Sequence, residues 1–255
     1  MKTNEHDYYS ELANWSFEDI SCTVENFTGW VYEDVVRKYI TADCKVLDLG
    51  TAAGEKVLKY FPHCAEILAT DFSQEMIDAA KINLAEEDRT DIEFRVMDNL
   101  HMDTPDEYFD LVTARHTAIA PVQVYRTLKP GGKFIVRGVD RMDCWALKRL
   151  FGRGQAYHDT KPADMIDYES IMDAGFRNVE LIPLHEIEYY KTKEDLLALL
   201  QKTPILDDIS EEKDQSQQYE RMPIEKDLLE RYIKENTTPK GIRLIRRYYG
   251  IEAEK

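Results

Sequence analysis

The chain is short of positive charge: 33 Lys and Arg stand against 49 Asp and Glu, a formal net charge of −16 over 255 residues. A field of that sign repels phosphate backbones and anionic lipid, which argues against nucleic acid as the main partner and against a membrane surface. Cysteine is scarce as well. Cys22, Cys44, Cys64 and Cys144 are widely spaced and form no C-x-x-C pair. Reduced, structural thiols are therefore expected, and no metal site. No apolar run approaches the length of a membrane span. The polar start, MKTNEHDYYS, has none of the apolar character of a secretion signal. A cytoplasmic protein is the expectation. Lys240, Arg243, Arg246 and Arg247 form a local basic cluster, read as a solvated strand face. Apolar residues make up an ordinary 43%, enough for a packed core.

Residues 1–27 are polar and rich in aromatics, and a helix is predicted over about 29–40. From there strands and helices alternate. Strands are predicted at 44–50, 66–71, 91–98, 109–115 and 133–139, with a sharp turn at 129–132. Ser73 can cap a helix ending near Leu84, and another helix covers about 122–128. This alternation implies parallel β-α units and a sheet covered on both faces. Later come a helix at 164–174 and a long strand at 178–190. Thr192 and Asp195 form a capping-box signal, and a second helix runs over about 224–236. Residues 207–220 are read as a loop and 241–252 as a closing strand. The organisation implied is an aromatic-rich cap and helix (1–43), a core (44–191), a helical lid insertion (192–239) and a closing strand (240–255).

The informative stretch is Val46–Glu55. A buried strand ends in Asp48, and the small-residue turn Gly50-Thr51-Ala52-Ala53-Gly54 then opens a helix. Small residues let the backbone approach a ligand, and a helix start offers free N–H groups. A tight turn with no ligand is the plain alternative. A dinucleotide fingerprint needs G-x-G-x-x-G. Here that register falls on Gly50, Ala52 and Glu55, with a glutamate where glycine is wanted. An acidic residue also sits poorly beside a pyrophosphate. S-adenosylmethionine (SAM) carries no phosphate, and Asp48 can favour its ammonium. Asp71, ending the second strand, can accept both ribose hydroxyls, or can simply begin the next helix. Phe72 and Met76 can pack against the adenine. Asp98, with Asn99 and Leu100 after the third strand, can meet the adenine edge, though Asp-Asn is also ordinary turn chemistry.

Together, VLDLGTAAGE, ATDFSQEMI, the Asp98 segment, FDLVTARHT and LKPGGKFIV resemble class I SAM-dependent methyltransferases of the small-molecule type that includes ubiquinone and menaquinone biosynthesis enzymes. The resemblance covers about residues 44–139. It implies an α/β, doubly wound (Rossmann-like) seven-stranded sheet, mostly parallel, with its last strand antiparallel. It also implies Asp48 and the Gly50–Gly54 loop at the methionine end, Asp71 at the ribose and Asp98 at the adenine. The family usually carries glycine where this chain has Ala52.

Methyl transfer is an in-line displacement, so the enzyme mainly aligns the acceptor and excludes water. Ligands in such sheets lie beyond the carboxyl ends of the strands, where Arg115, His116 and Thr117 emerge. His116 is the leading base or acceptor-orienting residue, with a structural histidine as the alternative. Arg115 can bind an acceptor carboxylate or phosphate through its fork and belongs to the cofactor-binding set, with a salt bridge to an acidic neighbour as the alternative. Tyr8, Tyr9 and Trp15 can fold over an acceptor, or merely staple the sheet. The reading is methylation of a small molecule with S-adenosylhomocysteine as product. An RNA or protein methyltransferase and a non-catalytic SAM-binding module are the alternatives, and an NAD oxidoreductase is the distant one.

Overall fold

The computed structural model describes residues 19–210 and 221–255. Two compact units emerge, each assembled from separated stretches of chain. One comprises 30–138, 164–182 and 249–255; the other holds the described parts of 1–29 and 211–248, together with 139–163 and 183–210.

The first unit contains α1 (Tyr32–Tyr39), β2 (Lys45–Leu49), α2 (Glu55–Tyr60), β3 (Glu66–Asp71), α3 (Gln74–Leu84), β4 (Ile92–Val96), β5 (Phe109–Arg115) and α4 (Pro121–Thr127). Nearly all of β6 (Leu128–Val139) follows, with α6 (Ala163–Asp173) and parts of β7 (Arg177–Tyr190) and β9 (Gly241–Glu254). Its strand order is β7-β9-β6-β5-β2-β3-β4. The pairs β2–β3, β2–β5, β3–β4 and β5–β6 are parallel. The strand β9 runs the other way: Gly131 and Gly132 bond Lys255, whereas Tyr249 lies against Gly138. The mostly parallel α/β arrangement with an antiparallel closing strand is the expected one, but the sheet to which these seven strands belong has nine strands where seven were expected. The middle of the sheet is fully buried, with Val46, Leu47, Leu49 and Ile67 at 0% exposure. Near-continuous apolar runs rather than alternation mark such strands, because helices cover both faces.

Two further strands lie in the other unit, making nine among the described residues. There β1 (Cys22–Asn26) pairs antiparallel with the end of β7, and β8 (Thr237–Thr238) with the start of β9. This unit also holds α5 (Trp145–Phe151), α7 (Lys193–Lys202) and α8 (Lys226–Asn236). Leu196, Leu199, Leu200, Leu229, Tyr232 and Leu244 form its core. The capping box closes as the sequence suggests: Asp195 N–H bonds Thr192 Oγ1, and Thr192 N–H bonds Asp195 Oδ2.

Several expectations need correction. The turn at 129–132 lies inside β6: Leu128 pairs with Phe109 and Lys133 with Leu111, so four residues bulge opposite Asp110. Gly131 takes φ 80° to allow this. The helix α5 and strand β1 have no counterpart in the sequence reading. Of the loop over 207–220, residues 211–220 lie outside the described residues. The part that is described is packed: Asp207 is buried and accepts from Arg221 and the Met222 N–H. Nor is Arg246 on a solvated face. It is buried, and its guanidinium bonds Asp143 and Glu188 at 3.0 Å each. Charge on a strand says nothing about the carboxylates that neighbouring elements bring to it. All four cysteines are free thiols.

Candidate functional site

Every site residue expected between Asp48 and His116 lies in the first unit, at the carboxyl ends of β2, β3, β4 and β5. The turn after β2 is left-handed three times over, at Gly50 (φ 69°), Ala52 (φ 50°) and Gly54 (φ 80°). Gly50 and Gly54 are also closely approached. A Cβ on Gly50 would meet the Thr117 side chain at 2.5 Å, and one on Gly54 the Phe94 ring at 2.5 Å. Ala52 therefore stands at a position whose backbone suits glycine, which costs an L-residue about 1 kcal/mol.

The carboxylates do different work. Asp48 is buried and its Oδ1 accepts from Thr113 Oγ1 at 2.6 Å. Burial pushes its carboxyl up to about 6, against the pull of the Thr113 and Thr51 hydroxyls and the Arg115 charge. Asp71, also buried, ties two loops together. Its Oδ2 accepts from the Ala52 N–H and its Oδ1 from the Ser73 N–H, both at 3.0 Å. Ser73 caps α3 by accepting from the Met76 N–H, so the cap and the carboxylate have separate tasks. Asp98 is solvent-exposed. It accepts from the Leu100 N–H and pairs with His101 Nδ1 at 2.7 Å. Burial of part of the group raises its carboxyl, but these two partners hold it below the usual range.

Around them sit apolar and polar walls. Phe72 is 36% exposed beside Asp71, whereas Met76 is buried. Asn99 is buried and its amide donates to Thr117 Oγ1 and the Ala118 carbonyl. The loops after β2, β4 and β5 thus converge on Thr117. His116 is left-handed (φ 54°), its N–H bonds the Arg137 carbonyl, and its Nε2 faces the Arg137 guanidinium. A guanidinium only donates, so Nε2 accepts and the ring proton is assigned to Nδ1. Arg115 is half-buried beside Asp48. Tyr8, Tyr9 and Trp15 lie outside the described residues.

Among the described residues, three buried side-chain oxygens of this region have no well-formed hydrogen bond: Tyr32 Oη, Thr51 Oγ1 and Asn99 Oδ1. The Thr51 and Tyr32 hydroxyls still lie against Asp48 and Thr113, so Asn99 Oδ1 is the atom whose hydrogen bond a polar ligand or water would supply. Sequence reasoning missed Tyr32, Thr113 and Arg137. Nothing near Tyr32 in the chain signals chemistry; only the approach of α1 to the β2 tip brings it in. The hollow of about 520 Å³ lined by Glu66, Leu68, Arg95, Asp103 and Tyr108 is elsewhere. Glu66 and Phe109 open β3 and β5, so this hollow reaches their amino ends, and the loop geometry is the better guide to the site.

The family described as "Methyltransferase domain" matches residues 40–236. Among curated relatives, the uncharacterized methyltransferase YcgJ of Bacillus subtilis is 30% identical over 115 residues, 41% of this chain and 46% of that protein. The crystal structure of YcgJ superimposes with a TM-score of 0.56 at 16% identity, over 88% of this chain and 95% of that one. The arsenite methyltransferase of Halobacterium salinarum is 28% identical over 160 residues, 55% of this chain and 39% of that protein. This chain thus spans less than half the length of the curated relatives it matches. A phosphoethanolamine N-methyltransferase of Haemonchus contortus, solved with phosphomonomethylethanolamine and S-adenosylhomocysteine, gives a TM-score of 0.52 at 18% identity, over 89% and 53% of the two chains. With residues 40–236 of the chain matched by the family's model, the chain belongs to the methyltransferase-domain family.

Proposed function

We propose that this protein is a class I SAM-dependent methyltransferase acting on a small-molecule acceptor by in-line transfer. The observation that carries the reading is the acidic, phosphate-averse turn. Asp48 and Asp71 stand at the carboxyl ends of adjacent strands around a left-handed small-residue loop, and the buried Asn99 Oδ1 nearby has no hydrogen-bond partner among the described residues. These residues fit the cofactor. Asp48 suits the methionine ammonium, Asp71 the ribose hydroxyls, and exposed Phe72 with Asp98, Asn99 and Leu100 the adenine. SAM when bound supplies the electrophilic methyl group. The chain's own residues bind, orient and exclude water. With the Arg137 guanidinium donating to Nε2, His116 is placed to orient the acceptor rather than to take its proton at that atom. Arg115 holds charge beside Asp48. The arsenite and phosphoethanolamine enzymes carry small-molecule acceptors in their names, which supports that class. The net charge of −16 speaks against an RNA acceptor.

Titration calorimetry with SAM, paired with thermal shift by SAM and by NAD, tests the reading. SAM raises the melting temperature and NAD does not, because only a true ligand stabilises the folded state by mass action. Asp71→Ala weakens SAM binding about tenfold or more. Because Asp71 also ties Ala52 to Ser73, the variant's own melt is recorded. An unchanged dissociation constant in a folded variant removes Asp71 from the site.

A further inference from the structure

The second unit holds a hollow of about 210 Å³ lined by Met142, Cys144, Trp145, Ala146, Arg149, Tyr232, Ile245 and Arg247. Three elements build it. Trp145 and Arg149 are i and i+4 on α5, so they share one face of the helix. Ile245 and Arg247 are i and i+2 on β9, so they share one face of the strand. Tyr232 comes from α8, and its hydroxyl is committed to the Arg243 carbonyl, which leaves its ring as wall. The strand's other face carries Arg246, fully engaged by Asp143 and Glu188.

Arg149 and Arg247 differ from Arg246. Among the described residues neither guanidinium has a carboxylate within ion-pair distance, although acidic residues outnumber basic ones 49 to 33 in the chain. Ile245 is 41% exposed between them. Trp145 is half-buried, its ring centroid 5.2 Å from that of Tyr157 and tilted 34° to it. An apolar floor flanked by two unneutralised guanidiniums, in an otherwise acidic protein, is complementary to one kind of molecule. Pockets for drug-sized ligands run to roughly 300 Å³ and above, so the occupant is smaller than these.

The geometry points to a binding site for a small, largely apolar molecule carrying one carboxylate or phosphate. The apolar body sits against Trp145, Ile245 and Tyr232, and the anion meets Arg149 and Arg247, whose planar forks suit both groups. This site stands on its unit alone and does not depend on the methyl-transfer reading.

Calorimetric titration of the whole protein with 2-naphthoate, 2-naphthyl phosphate and neutral 2-naphthamide tests it. At least one anion binds with a dissociation constant below about 1 mM, and the amide binds at least about tenfold more weakly. Whichever of the two anions binds more tightly identifies the head group. Arg149→Gln and Arg247→Gln each weaken the preferred anion about fivefold or more, and the double variant abolishes binding. Arg149→Lys recovers part of the loss, which a merely unfolded protein could not do. Arg95→Gln, in the other hollow, leaves binding unchanged. Equal affinity for anion and amide, no binding by either anion, or unchanged binding in the double variant each overturns the assignment. So does loss of binding on Arg95→Gln.

Discussion

Asp48 shows how one buried carboxyl sets a pH window. Its carboxyl lies at about 6 in the folded chain, above its ordinary 3.8, because burial disfavours the charge. Between these values the folded state holds more protons than the unfolded one, so stability falls as pH rises from about 4 to 6 and stays lower above. A two-unit shift corresponds to about 3 kcal/mol at most. Asp48→Asn removes this slope, and denaturant melts of both proteins at pH 4, 6 and 8 read it as a difference that grows to the variant's advantage. Parallel curves would mean that Asp48 titrates normally. A cationic ligand beside Asp48 reverses the preference. SAM binding near pH 6 therefore releases a proton, visible as a buffer-dependent calorimetric enthalpy. His116 offers a second test at this scale. His116→Ala lowers turnover roughly tenfold to a hundredfold, in the range of a lost orienting or proton-handling group, with SAM affinity near normal. Full turnover would leave His116 a partner of Arg137 and nothing more.

Among the elements, the turn between β2 and α2 is where packing and ligand approach compete. Gly54→Ala forces a Cβ to 2.5 Å from Phe94, which is buried in the core, at φ 80°. It should destabilise the fold by about 2–4 kcal/mol, as overpacking and left-handed strain add. Ala52→Gly is different. It relieves φ 50° but frees the unfolded chain, so stability changes by less than about 1 kcal/mol. Chemical denaturation separates the two, and equal losses would discount the backbone argument. The same stretch explains what sequence could reveal. Parallel strands fully buried on both faces read as apolar runs, and Ser73 and Thr192 announce their helices by local chemistry, so the sheet and its acidic tips were legible. The Thr113 bond to Asp48 was not, because it links residues 65 apart in the chain. Asp71's grip on Ala52 N–H was hidden for the same reason. The helix α5 escaped because no local chemistry announces its start: its N-cap is Cys144, left-handed and with no capping side chain, whereas α2 follows a glycine and α4 opens on a proline. Arg246 misled because its partners come from other elements.

For the molecule as a whole, charge decides more than any one ion pair. Many of the ion pairs are exposed, such as Arg37–Asp34, Arg95–Glu93 and Arg231–Glu235, and exposed pairs are worth about 0–1 kcal/mol each. A net charge of −16 repels itself throughout the compact state and less in the expanded chain. Salt shortens the reach of that repulsion from about 10 Å at 0.1 M to about 3 Å at 1 M. The Arg246–Asp143–Glu188 cluster is buried and hardly screened. Raising sodium chloride from 0.1 to 1 M should therefore raise the melting temperature by roughly 2–5 °C. A scan at fixed pH 8, where Asp48 is ionised in both folded and unfolded chains, isolates the effect. A falling melting temperature would show that surface pairs outweigh the net field. The acidic surplus would then be a feature of solubility alone and would say nothing about which partners the protein turns away.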